Sequence, residues 1–133
     1  NDTAATYNAD GIDTSREVTV QFISRIAKDM PWTFEPMMAE IKVHPGERKL
    51  VKFYAKNDST IDRIGQAVPS VSPGQAAVYL QKIECFCFNH QPLKASEDVE
   101  MALQFYVDPE LPEDVKTLTL SYTLYDITAK VDS

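Results

Sequence analysis

Apolar residues recur at every second position along much of this chain, and that period decides what it can fold into. Val99, Met101, Leu103, Phe105 and Val107 form one such run, and Val18, Val20 and Phe22 form another. In a third, Leu118, Leu120, Tyr122 and Leu124 alternate with Thr117, Thr119, Ser121 and Thr123. Successive side chains of an extended strand point to opposite faces, so each run gives a strand with one face in a core and one in water. No amphipathic stretch of normal helical length accompanies them. Prolines at positions 31, 36, 45, 69, 73, 92, 109 and 112 punctuate the pattern. Several short strands divided by turn signals predict an all-β, immunoglobulin-like antiparallel β-sandwich. The one expected exception is Pro73 to Leu80, where Pro-Gly-Gln-Ala-Ala can open a single helical turn.

A chain of 133 residues normally builds one domain around one core. Residues 1–15 are rich in Asn, Asp, Thr and Ala without apolar periodicity, and read as a disordered tether. Residues 16–133 read as the folded domain. A formal charge of −7 argues against a nucleic-acid partner, which would require a basic stripe, and against adhesion to anionic lipid. The longest apolar runs are a few residues, short of the ~20 that a membrane-spanning helix requires.

The two cysteines, Cys85 and Cys87, stand one residue apart in Cys-Phe-Cys-Phe. On a regular strand both sulfurs project from one face, about 7 Å apart at their Cα atoms. That separation strains a disulfide, whereas two thiolates converging from one face suit Cu(I), a soft ion content with few ligands. Burial of the pair as small apolar residues is the alternative. Strict alternation groups Ile83, Cys85 and Cys87 on one face and Glu84, Phe86 and Phe88 on the other. Two phenylalanines bury more apolar area than two cysteines, so the expectation is phenylalanines inward and thiols near the surface. Glu84 then falls on the core side, unless a bulge frees it. With the faces reversed, Phe86 and Phe88 become an exposed apolar patch that a partner would cover.

Other candidates are weaker. His90, three residues after Cys87, could add a ligand, but Asn-His-Gln-Pro reads as an exposed turn, as does the Val-His-Pro-Gly around His44. Met30, Met37, Met38 and Met101 read mostly as core filling, with Met37 and Met38 on opposite faces. Trp32 reads as a packed aromatic anchor.

The segment Pro69 to Lys94, which contains the cysteine motif, resembles the CtaG-type cytochrome c oxidase assembly factors. So do Pro31-Trp32-Thr33-Phe34-Glu35-Pro36, Pro45-Gly46-Glu47 and Phe53-Tyr54-Ala55-Lys56-Asn57. Phe105 to Glu110 and Leu118 to Thr123 extend the likeness, which covers about residues 16 to 125. Ala-Ser-Glu-Asp after Lys94 departs from the Pro-Gly-Glu turn expected there. The resemblance implies a metallochaperone that carries Cu(I) on Cys85 and Cys87 to the oxidase subunit holding the CuB centre. It also implies a copper-dependent homodimer and an inner-membrane location, with the domain on the periplasmic or mitochondrial intermembrane-space side. Family members carry an N-terminal membrane helix and a further cysteine just after it; neither is in this sequence, so the chain is expected to be the soluble part of an anchored protein.

Two other classes compete. A thiol–disulfide redox protein would use the same cysteines, though redox enzymes favour Cys-x-x-Cys at a helix N-terminus, and no such helix is visible. A sandwich interaction module would leave them incidental. No catalytic triad or paired-carboxylate motif is recognisable, so a non-enzymatic role is expected.

Overall fold

The computed structural model describes residues 5, 7–85 and 90–129. Nine strands are described: β1 (Val18–Ile26), β2 (Trp32–Pro36), β3 (Glu40–Val43), β4 (Lys49–Asn57), β5 (Arg63–Ser72), β6 (Leu80–Cys85), β7 (Gln91–Leu93), β8 (Asp98–Val107) and β9 (Thr117–Asp126). They form a five-stranded sheet in the order β3-β1-β9-β5-β7 and a four-stranded sheet in the order β2-β4-β8-β6. The pairing is antiparallel except between β1 and β9, which run parallel from Thr19↔Thr117 to Ile26↔Leu124. The result is an all-β, immunoglobulin-like sandwich. The expected helical turn is a 3-10 helix over Gly74–Tyr79.

The alternating stripes face one another across the sandwich. Val18, Val20, Leu118, Leu120, Tyr122 and Leu124 from one sheet meet Phe53, Ala55, Leu103, Phe105 and Val107 from the other, and all of these are sealed from solvent. Aromatic rings interlock at the centre. Phe53 makes edge contacts with Phe22 at 6.1 Å and Tyr122 at 5.3 Å, and stacks on Phe34 at 5.5 Å. Each such side chain contributes about 1.5–3 kcal/mol by leaving water. Prolines fall where the ladder lacks a partner: Pro36 and Pro92 lie on edge strands, and Pro69 lies on β5 beyond the reach of β7. Trp32 is buried, as expected of an anchor, against Gly65, where a Cβ would stand 2.7 Å from its ring.

Two expectations about the periphery change. Part of the segment read as a tether is structured. Asn8 closes a turn by accepting from the Asp10 and Ile12 amides at 2.8 and 3.1 Å, and the Asp13 amide donates to the Pro45 carbonyl at 2.9 Å. Gly46, at φ +88°, admits this approach, because a Cβ there would lie 2.6 Å from the Gly11 carbonyl oxygen. Polar side chains organise this stretch, so apolar periodicity carried no sign of it. Met37 and Met38 are both exposed, not split between faces, because they lie in the turn between β2 and β3, outside the strand that would have alternated them. Met30 and Met101 are in the core.

Candidate metal centre

Among the described residues β6 is an edge strand of the four-stranded sheet, paired with β8 alone. Its ladder begins regularly, with Leu80↔Val107, Gln81↔Tyr106 and Lys82↔Phe105. It then skips a residue and resumes as Glu84↔Gln104 and Cys85↔Leu103. Ile83 is the extra residue of this bulge, and one unpaired residue reverses the parity of everything after it. Ile83 and Glu84 are exposed, and Cys85 is 5% exposed within the core cluster.

The expected grouping of faces is therefore corrected. Ile83 and Cys85 do not share a face, Glu84 is released to solvent, and the Cys85 sulfur is buried instead of lying near the surface. Lys82 points the same way as its opposite neighbour Phe105 and is half-buried, so burial pushes its ammonium pKa down. Phe86, Cys87 and Phe88, the rest of the motif, lie outside the described residues.

The Cys85 sulfur meets a side chain from the opposite sheet. Tyr122 Oη is 2.9 Å from Cys85 Sγ, in a buried contact. Cys85 is disulfide-bonded, so its sulfur carries no hydrogen and the phenol donates. Burial pushes the Tyr122 phenol pKa far up, which keeps that proton in place. A phenol is the odd member of an otherwise leucine stripe on β9. Left unpaired in the core, its hydroxyl would cost about 1–3 kcal/mol.

The disulfide at Cys85 is a second correction, since strain was expected to keep the sulfurs apart. The chain's other cysteine, Cys87, lies outside the described residues.

After the motif the chain re-enters the fold on β7, at the edge of the other sheet. β6 and β7 thus lie at the edges of different sheets. Asn57, fully buried, anchors the far side: its Nδ2 donates to the carbonyls of Leu93 at 3.0 Å and Ile61 at 2.9 Å. Its Oδ1 accepts from the amide and hydroxyl of Ser59.

The remaining candidates fall away from this point. His90 is exposed. His44 is a turn residue whose Nδ1 donates to the Arg16 carbonyl at 2.7 Å. Among the described residues no group of three or more His, Cys, Asp or Glu side chains could hold a metal ion. A disulfide sulfur is a poor metal ligand, so Cys85 could serve a metal only after reduction. Reading the sequence assigned Tyr122 to the core stripe and Asn57 to no role. The signal for Tyr122 was present, because a buried phenol needs an acceptor.

These features describe a β-sandwich domain whose cysteine motif opens at the seam between its two sheets. The family described as cytochrome c oxidase assembly protein CtaG/Cox11 matches residues 1–126, and the chain belongs to it. The cytochrome c oxidase assembly protein CtaG of Brucella ovis is 42% identical over 117 residues, which are 84% of this chain and 58% of that protein. CtaG of Rhizobium etli is 43% identical over 115 residues, 83% of this chain and 57% of its own. The mitochondrial cytochrome c oxidase assembly protein COX11 of Saccharomyces cerevisiae is 39% identical over 119 residues, 86% of this chain and 40% of its own. The chain thus spans between two fifths and three fifths of these relatives. Among the described residues no helix is long and apolar enough to cross a membrane.

Proposed function

We propose that this domain is a copper metallochaperone: it accepts Cu(I) on Cys85 and Cys87 and delivers it to the CuB centre during cytochrome c oxidase assembly. The observation that carries the reading is the soft-ligand pair Cys85 and Cys87 within a chain belonging to a family of oxidase assembly proteins. Thiolates select Cu(I), and two of them leave it under-coordinated. An incoming ligand can then attack the ion before the first ligand leaves, so transfer proceeds by ligand exchange and no acid–base residue is needed. The protein acts as a carrier, not as an enzyme.

The same shortage of ligands favours two chains sharing copper through bridging thiolates, which makes a copper-dependent homodimer. Phe86 and Phe88, interleaved with the cysteines, are assigned to contact with the partner, the oxidase subunit that carries CuB. The full-length protein is assigned an N-terminal anchor in the inner membrane, with this domain on the periplasmic or intermembrane-space side.

Anaerobic reduction followed by reconstitution with Cu(I) tests the proposal. The expected result is about one Cu(I) per chain with sulfur ligands in X-ray absorption, and loss of binding in Cys85→Ser and Cys87→Ser. A nitrogen- and oxygen-dominated shell, or copper retained by both variants, sinks it. Light scattering before and after copper addition tests the dimer, and an unchanged mass at matched concentration refutes bridging. The disulfide at Cys85 favours one second reading, a thiol–disulfide redox protein. That reading requires turnover with a dithiol substrate in the copper-free protein.

A further inference from the structure

We propose that Tyr122 is a positioning residue for the cysteine motif, its phenol holding the Cys85 sulfur and favouring the reduced form over the disulfide. The reading deepens the proposed function and rests on it only for the copper arm of the test below. The basis is the 2.9 Å contact between Tyr122 Oη and Cys85 Sγ and the contrast between the elements that supply them. Tyr122 lies in the middle of a central strand, paired with Ser24 on one side and Pro69 on the other, and packed 5.3 Å from Phe53. Cys85 is the last residue of an edge strand, just past a bulge. The phenol is therefore the fixed member of the pair, and the sulfur takes its direction from it.

The hydrogen bond also discriminates between states of the sulfur. Donors bond charged acceptors about twice as strongly as neutral ones. A thiolate, free or metal-bound, accepts the phenol proton more strongly than a disulfide sulfur does. Reduction by glutathione breaks the S–S bond with two electrons from two glutathione thiols, which leave as glutathione disulfide, while two protons pass to the domain's sulfurs or to solvent. The phenol adds its stabilisation to the product side of this exchange.

Tyr122→Phe removes one oxygen and keeps the ring, and Leu120→Val perturbs the same buried stripe without removing a polar group. Both are compared with wild type for thermal unfolding and, metal-free in glutathione buffers at one pH, for the thiol–disulfide equilibrium. Tyr122→Phe should shift that equilibrium about fivefold toward the disulfide, and Leu120→Val should leave it unchanged. After loading with Cu(I), Tyr122→Phe should lose copper to a thiol-free chelator more readily than wild type. An equilibrium unchanged in Tyr122→Phe, or shifted equally in Leu120→Val, overturns the proposal. So does failure of Tyr122→Phe to fold, which would make the hydroxyl a scaffold group. Wild type that binds no copper while its redox equilibrium still responds to Tyr122 would sink the copper reading and leave this one standing.

Discussion

Strands β9 and β6 answer differently to the same rule. On β9 the four residues Leu118, Leu120, Tyr122 and Leu124 are all buried, and the polar residues between them are not. On β6 alternation runs from Leu80 to Lys82, breaks at Ile83, and resumes in opposite phase so that Cys85 is buried. The difference lies in their neighbours. β9 is laddered on both sides, to β1 and to β5, so a slip of one residue would break two sets of hydrogen bonds and turn four apolar side chains into water. β6 has one neighbour among the described residues, so an extra residue disturbs one ladder only, and edges are where bulges concentrate. The regular strand builds the core, and the irregular one aims the chemistry.

The contrast is most sharply tested by stability. Phe53→Ala, in the ring cluster that β9 covers, should lower unfolding free energy by about 3–5 kcal/mol in chemical denaturation. Ile83→Ala, at the exposed bulge, should change it by less than about 0.5 kcal/mol. Comparable losses would mean that β6 carries as much of the fold as the centre does, and the comparison would fail.

Deleting Ile83 probes the bulge itself. The ladder should close up without a break, as Lys82↔Phe105, Glu84↔Gln104 and Cys85↔Leu103, which keeps Cys85 facing inward, so that under reducing conditions Cys85 alkylates no faster than in wild type while the domain still unfolds cooperatively. Faster alkylation in the deletion variant would show that the pairing of Cys85 with Leu103 is not what buries it.

A smaller effect belongs to the far end of β9. Burial raises the Asp126 pKa, but hydrogen bonds from the Thr128 hydroxyl and amide, and from Arg63 at 2.7 Å, outweigh it and hold the carboxyl below its ordinary value. A lowered folded-state pKa stabilises the domain above the unfolded carboxylate pKa, and that stability is lost as pH falls through the folded value. Asp126→Asn should therefore destabilise at neutral pH and flatten part of the acid-side decline in melting temperature. Because the ion pair is partly exposed, the change should be about 1 kcal/mol or less. A variant whose melting curve parallels wild type from neutral to acid pH would remove Asp126 from the account.

The candidate site was legible in outline and not in detail. The residue types of Cys-Phe-Cys-Phe pointed to soft-metal chemistry without any structure, because ligand preference is a property of sulfur. The burial of Cys85 was not legible, because it depends on one unpaired residue at position 83. Tyr122 was visible as a phenol in a leucine stripe, but its acceptor lies 37 positions away along the chain. Asn57 carried no pattern, since its partners, the carbonyls of Ile61 and Leu93, are backbone groups that any residue could supply.

Period-two alternation, proline punctuation and the lack of helical spacing were enough to determine an all-β sandwich and the inward-facing stripes of β1, β8 and β9. These are local consequences of side-chain direction on an extended backbone, repeated over strands long enough to average out exceptions. Tertiary structure alone decided the parallel pairing of β1 with β9, the parity reversal at Ile83, and the meeting of Tyr122 with Cys85 across the two sheets. Each joins elements distant along the chain, and such contacts are chosen by how whole sheets pack, which no local period records.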